Sequence, residues 1–179
     1  IPLANEEMDG LALDAPSDLT QIPLPIAIEL LKPMLEDPAV LKIAQNAKYD
    51  LAVLSRYGVR VAPVEDTMLI SYALDASAGL HGHGMDELSR LWLNHEPIPF
   101  KQVAGSGKSQ KSFKNVELKA ATCYAAEDAD VTLRLYEVLK PKLAPAGLST
   151  VYETLERPLA AVLADMEVAG IAVDPEHLR

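Results

Sequence analysis

From Ile26 the apolar positions fall at Ile26, Leu30, Leu31 and Leu35, one face of a helix, and "EDP" at 36–38 closes it. "VLKIAQN" (40–46) predicts a short buried strand by its Val, Leu and Ile. "AKYDLAVLSRYG" (47–58) returns to the helical period, with Gly58 as its stop. "VRVAPV" (59–64) reads as extended, and "DTMLISYALDA" (66–76) as a helix with Asp66 at its N-cap. A glycine-rich loop, "AGLHGHG" (78–84), precedes a helix from Met85 to Leu93. Residues 97–116 predict a long polar loop. A long helix then runs from Val116 to about Leu143, "PAG" (145–147) breaks it, and another runs from Leu148 to Val168. "GIAVDPEHLR" follows as a strand-like turn, and residues 1–25, rich in Pro and Asp, predict a short strand end and loop. Short strands alternating with helices predict an α/β fold.

Composition narrows the function classes. The chain of 179 residues carries 16 basic and 26 acidic side chains, a formal net charge of -10. That balance argues against a generic polyanion binder but leaves room for a nucleic-acid enzyme with a local basic groove or bound cations. The single cysteine, Cys123, excludes an internal disulfide and fits a reducing compartment. No apolar run approaches ~18 residues, so no membrane span is expected, and no signal peptide is visible. The opening "IPLANEEM" lacks an initiator Met and reads as mid-sequence, so a fragment of a longer protein is expected.

Three stretches are candidates for chemistry. "AGSGKS" (104–109) imitates a phosphate-binding P-loop, but Gln102 stands where the first glycine of that pattern belongs, and polar loop flanks it on both sides. The same segment holds Lys101, Lys108, Lys111 and Lys114 and no acid, a charge pattern able to follow a nucleic-acid backbone or simply to be solvated. "YAAEDAD" (124–130) puts Tyr124 and Asp128 one helical turn apart on one face, with Glu127 close to it and Asp130 pointing elsewhere. Spacing alone leaves these acids as the wet side of a helix. In "QNAKYDL" (45–51), Asn46 stands beyond the carboxyl end of a buried strand, where open α/β folds bind ligands, and Asp50 lies one turn into the next helix. Asp50 can hold a hard divalent cation; equally, Asn46 can cap the helix and Asp50 favour its dipole.

Taken together, the order and flanks of these stretches resemble the 3′–5′ proofreading exonuclease domain of bacterial DNA polymerase I. "QNAKYDL" resembles that family's second exonuclease motif and "YAAEDADVTLRL" its third, in the tyrosine variety. "DTMLISYALD", "HGMDELS", "AGSGKSQKSF" and "YETLERPLAAVLADMEVAGIAVD" are similar to it as well, and the resemblance runs from about Ile26 to the end. It implies a ribonuclease-H-like α/β fold over residues 1–147, with residues 148–179 as the start of the polymerase thumb. It implies phosphodiester hydrolysis at the single-stranded 3′ end of a DNA primer, with two Mg²⁺ or Mn²⁺ ions about 4 Å apart. By that resemblance Asp50 and Asp128 are metal ligands and Tyr124 orients the attacking water. Gln45, Asn46 and Tyr49 lie near the DNA, as do Lys108 and Lys111. His81 and His83, in the loop that approaches the primer end in relatives, read as surface histidines. A monomer is implied, cytoplasmic and nucleoid-associated, with a polymerase domain in cis.

The departure lies at the family's first motif, an Asp-x-Glu pair on the opening strand. "NEEMDG" and "LDAPSD" lack both the spacing and the apolar strand. Truncation is the expected cause, and the chain alone is then expected to hydrolyse DNA poorly and to have a weakened fold. The alternatives are a catalytically dead scaffold or DNA-binding domain of a polymerase, and a ribonuclease of the same superfamily.

Overall fold

The computed structural model describes residues 21–75, 81–174 and 176–177. The expected strand end and loop of residues 1–20, and the part of the glycine-rich loop up to residue 80, lie outside the described residues.

Helix α1 (Leu24–Glu36) leads into strand β1 (Lys42–Ala44), helix α2 (Ala47–Ser55) and strand β2 (Val64–Asp66). The strands pair in parallel, with Lys42 opposite Val64, Ile43 opposite Glu65 and Ala44 opposite Asp66. Parallel neighbours need a crossover, and α2 supplies it. The expected stop at Gly58 is found: its φ of +69° is the left-handed conformation that costs glycine least. The stretch 59–64 pairs only from Val64, since Pro63 has no N–H to give the ladder; its carbonyl accepts from Lys42 instead, at 3.1 Å.

Helix α3 (Thr67–Asp75) follows β2 directly. Helix α4 (Met85–Leu88) runs into a π turn, Ser89–Leu93, as the expected 85–93 helix. The segment 97–116 is less of a loop than its polarity predicts. It contains helix α5 (Phe100–Ala104) and two 3₁₀ turns, Gly107–Ser109 and Phe113–Asn115. The P-loop look-alike is a turn inside it: Gly105 has φ +79°, and a Cβ there would lie 2.9 Å from the Ser109 carbonyl oxygen. Helix α6 (Leu118–Leu139) is the long helix. Helix α7 (Ser149–Val151), a π turn Tyr152–Glu156 and helix α8 (Arg157–Ala169) form the tail, and α8 packs along α2.

The main core joins α3, α4 and α6 to the tail. Val131, Leu135 and Leu139, each one turn apart on α6, meet Ile70, Leu88, Leu143 and Tyr152, all fully or almost fully buried. On α1 the inward position is Ala27; the expected apolar face is only partly used, since Ile26 and Leu30 are exposed.

One charge is built into this core. Glu65, 3% exposed, accepts from the Tyr152 hydroxyl at 2.6 Å and from Lys140 Nζ at 2.9 and 3.0 Å. Arg157 closes the cluster, 3.3 Å from Glu65 and donating to the Val64 carbonyl at 2.9 Å. A buried carboxylate persists only when paired and hydrogen-bonded in this way. The tail is thereby tied to the strand that ends in Asp66.

Candidate active site

The first half of the site is the turn from β1 into α2. Asn46 adopts the left-handed conformation, φ +61°, which asparagine tolerates better than most residues. Its side chain makes no capping bond. Asp66 does that work from the neighbouring strand, accepting from the Asn46 N–H at 3.0 Å and the Ala47 N–H at 2.8 Å. The same carboxylate accepts from the Met68 N–H at 2.9 Å, so the expected N-cap of α3 caps two helices at once. Burial pushes the Asp66 carboxyl above its ordinary range, against the pull of these backbone bonds. Asp50, one turn into α2, is also held above the ordinary value, first by lost hydration and then by the charge of Asp66.

Gln45 is committed inside the protein. Its amide Nε2 donates to the His83 carbonyl at 2.8 Å, and its Oε1 accepts from the Thr67 hydroxyl. Its side chain therefore holds the strand end, and Asn46, Tyr49 and Asp50 are exposed beside it, Tyr49 at 66%. The histidines are not plain surface residues. His83 pairs through Nδ1 with Ser71 Oγ at 2.9 Å, and His81 lies 3.0 Å from Asp75.

The second half lies on α6, which packs against β1. Tyr124 and Asp128 are half-buried neighbours one turn apart on this helix, close enough for the carboxylate charge to act on the phenol. Burial, then the charge of Asp128, pushes the Tyr124 hydroxyl up to about 12. The phenol therefore keeps its proton at neutral pH. Asp128 is itself raised, chiefly by burial, against the opposing pull of the nearby phenol. Asp86 at the start of α4 adds negative field to both.

Glu127, between them in sequence, faces a different partner: it accepts from the Ile98 N–H at 2.6 Å and from His95 Nε2 at 2.9 Å. Asp130 is exposed and lies 3.3 Å from Arg134, apart from the site. Lys111 is exposed on the segment after α5, where Lys108 also stands.

Sequence reasoning missed the aromatic wall of this half-site. Phe100 and Phe113 stack with centroids 6.2 Å apart, and both rings meet Tyr124, at 5.8 and 6.0 Å. A signal was present: the chain has two phenylalanines, and both fall in the polar 97–116 segment.

The donors offered by Asp50 and Asp128 are carboxylate oxygens, the kind hard divalent cations prefer. Among the described residues no three His, Cys, Asp or Glu are gathered to hold a metal ion. Among them, too, no helix is long and apolar enough to cross a membrane.

Known proteins resemble this chain in sequence and in fold. A model described as 3′–5′ exonuclease matches residues 4–144. DNA polymerase I of Rhizobium leguminosarum is 55% identical over 99% of this chain and 17% of its own length. DNA polymerase I of Pseudomonas aeruginosa is 44% identical over 84% of this chain and 17% of its own. The chain thus spans about a sixth of the length of the curated relatives it matches. Among solved structures, the POL domain of Pol1 from M. smegmatis, in complex with DNA primer-template and dNTP, superposes with a TM-score of 0.65 at 25% identity, over 86% of this chain and 23% of that one. Brucella melitensis NrnC superposes with a TM-score of 0.61 at 22% identity, over 78% of this chain and 64% of that one, a likeness of fold alone. The expected ribonuclease-H-like α/β class is found, and with a matching family model over most of its length this chain belongs to the 3′–5′ exonuclease family, in the form carried within DNA polymerase I.

Proposed function

We propose that the chain is the 3′–5′ exonuclease part of a DNA polymerase I and that Asp50, Tyr124 and Asp128 carry hydrolysis of the terminal phosphodiester of a single-stranded DNA 3′ end. The observation that carries this reading is the placing of Tyr124 beside Asp128 on a half-buried face of α6, with the phenol ring walled by Phe100 and Phe113. With its proton turned toward the neighbouring Asp128 carboxylate, Tyr124 Oη offers its lone pairs to other partners. A water donating to Oη then directs its own lone pair away from the ring, toward a phosphorus. Asp50 and Asp128 would hold Mg²⁺ or Mn²⁺, which when bound supplies Lewis-acid polarisation and a more acidic water.

The other roles follow from exposure and charge. Asn46 and Tyr49 contact the sugar, phosphate or base, and Gln45 supports them from inside. Lys108 and Lys111 follow the DNA backbone by charge. Residues 148–179 begin the polymerase domain in cis, and the parent works as a monomer on cytoplasmic, nucleoid DNA.

Tyr124→Phe in the full-length parent tests the reading. The ring and its packing remain, while the hydroxyl is lost. Trimming of a 5′-labelled single-stranded oligonucleotide in Mg²⁺ is expected to slow by roughly 10- to 100-fold, the scale of a misoriented reactant. A full rate in this variant rejects the role of the phenol. A parent that trims no DNA at all favours the non-catalytic scaffold.

A further inference from the structure

Residues 95–116 cross the face of α6 that carries Tyr124 and Asp128, and two contacts pin them to that helix. At the first, the Glu127 carboxylate accepts from the Ile98 N–H at 2.6 Å and from His95 Nε2 at 2.9 Å. At the second, Ala104 and Val116 close on Ala121, all three buried. Between the pins stand Phe100 and Phe113, each 40% exposed, with their rings against Tyr124. Positions 121, 124, 127 and 128 lie close together on one side of the helix, so pin, phenol and carboxylate share one rigid support.

We infer that Glu127 is the positioning residue of the Tyr124 site: by clamping residues 95–98 to α6 it holds the Phe100–Phe113 wall against the phenol and so fixes where the hydroxyl points beside Asp128. The inference rests on the reading of Tyr124 as the group that orients water. Both Glu127 oxygens face hydrogen donors of the 95–98 segment, and its side chain is only 19% exposed. That geometry suits a clamp rather than a metal ligand. Bonds to an ionised acceptor are the stronger kind, and two of them, three residues apart, set both the place and the direction of the chain entering α5.

The test uses the full-length protein carrying 3-fluorotyrosine, free of metal and DNA, with the Tyr124 ¹⁹F resonance assigned by its loss in Tyr124→Phe. In Glu127→Ala the resonance is expected to shift or broaden, and the trimming kcat in Mg²⁺ to fall roughly 10- to 100-fold. Glu127→Gln keeps an acceptor for Ile98 and can pair with His95 in its other tautomer. It is expected to hold the resonance in place and stay within about fivefold of the parent rate, as a neutral bond replaces a charged one. Phe113→Leu, a change at a half-open surface site, is expected to move the resonance with Glu127 intact, and it decides the matter if Glu127→Ala does not fold. An unmoved resonance in Glu127→Ala, or in Phe113→Leu if that variant must stand alone, overturns the clamp. Equal loss of activity in the Gln and Ala variants does so too, since it assigns the carboxylate to the ions or the substrate. If Tyr124→Phe trims at full rate, the water-orienting reading falls by itself, while the ¹⁹F shifts still judge the clamp.

Discussion

Asp128→Ala in the full-length parent is expected to cut 3′-end trimming by roughly 1,000-fold or more, the kinetic equivalent of losing several kcal/mol of metal-borne charge stabilisation. Asp50→Ala is expected to do the same. Template-directed synthesis should stay at the parent rate, because neither side chain belongs to the main core. Asp128 touches Tyr124, and Asp50 has the Asp66 charge beside it; removing either lifts a carboxyl that burial already disfavours as an anion. Stability should therefore hold or rise slightly, and loss of trimming cannot be put down to unfolding. Two assays on one preparation settle it: release of labelled 3′ nucleotide, and primer extension. Trimming that survives both substitutions removes these residues from the site.

The second large effect falls on stability. Tyr152→Ala is expected to cost about 3–5 kcal/mol, the range for deleting a buried aromatic ring. Tyr152 is fully buried, its hydroxyl donates to Glu65 at 2.6 Å and accepts from the Asp66 N–H at 3.3 Å. Tyr152→Phe keeps the ring and strips only those bonds, at about 1–3 kcal/mol for polar groups left buried without a partner. Urea unfolding of both variants beside the parent measures the two terms separately. Equal, small losses in both would mean that the tail is not part of the core.

How much of this was legible in the sequence depends on how local each signal was. The helices of α2, α3 and α6 follow from apolar spacing and from stops such as Gly58, which act within one turn. The pairing of Tyr124 with Asp128 follows from the same periodicity. What spacing could not reach is the work done between distant residues. Asp66 looks like an ordinary cap of α3, yet it also satisfies the N–H groups of Asn46 and Ala47, twenty residues earlier. Glu127 looks like a doubtful ligand because it neighbours Asp128, and only the fold brings His95 and Ile98 to it. Segment 97–116 looks like loop because its surface is polar, while its order comes from Ala104 and Val116, two small anchors in a run of Lys, Ser and Gly. The outward side of α1 is a miss of a different kind, since periodicity names a face without saying what lies opposite.

The cluster around Glu65 bears on where this protein can be divided. By sequence, "PAG" at 145–147 invites a cut between exonuclease and polymerase parts, and the family match stops at 144. Yet Tyr152 and Arg157 both lie beyond that point, and with Lys140 they are the partners that keep the Glu65 carboxylate paired in the interior. A module excised at 147 would carry a buried anion short of partners, next to the strand that positions Asp66 and, through it, the turn before Asp50. A cut that leaves this charge paired therefore has to keep the helix bearing Arg157, through Ala169.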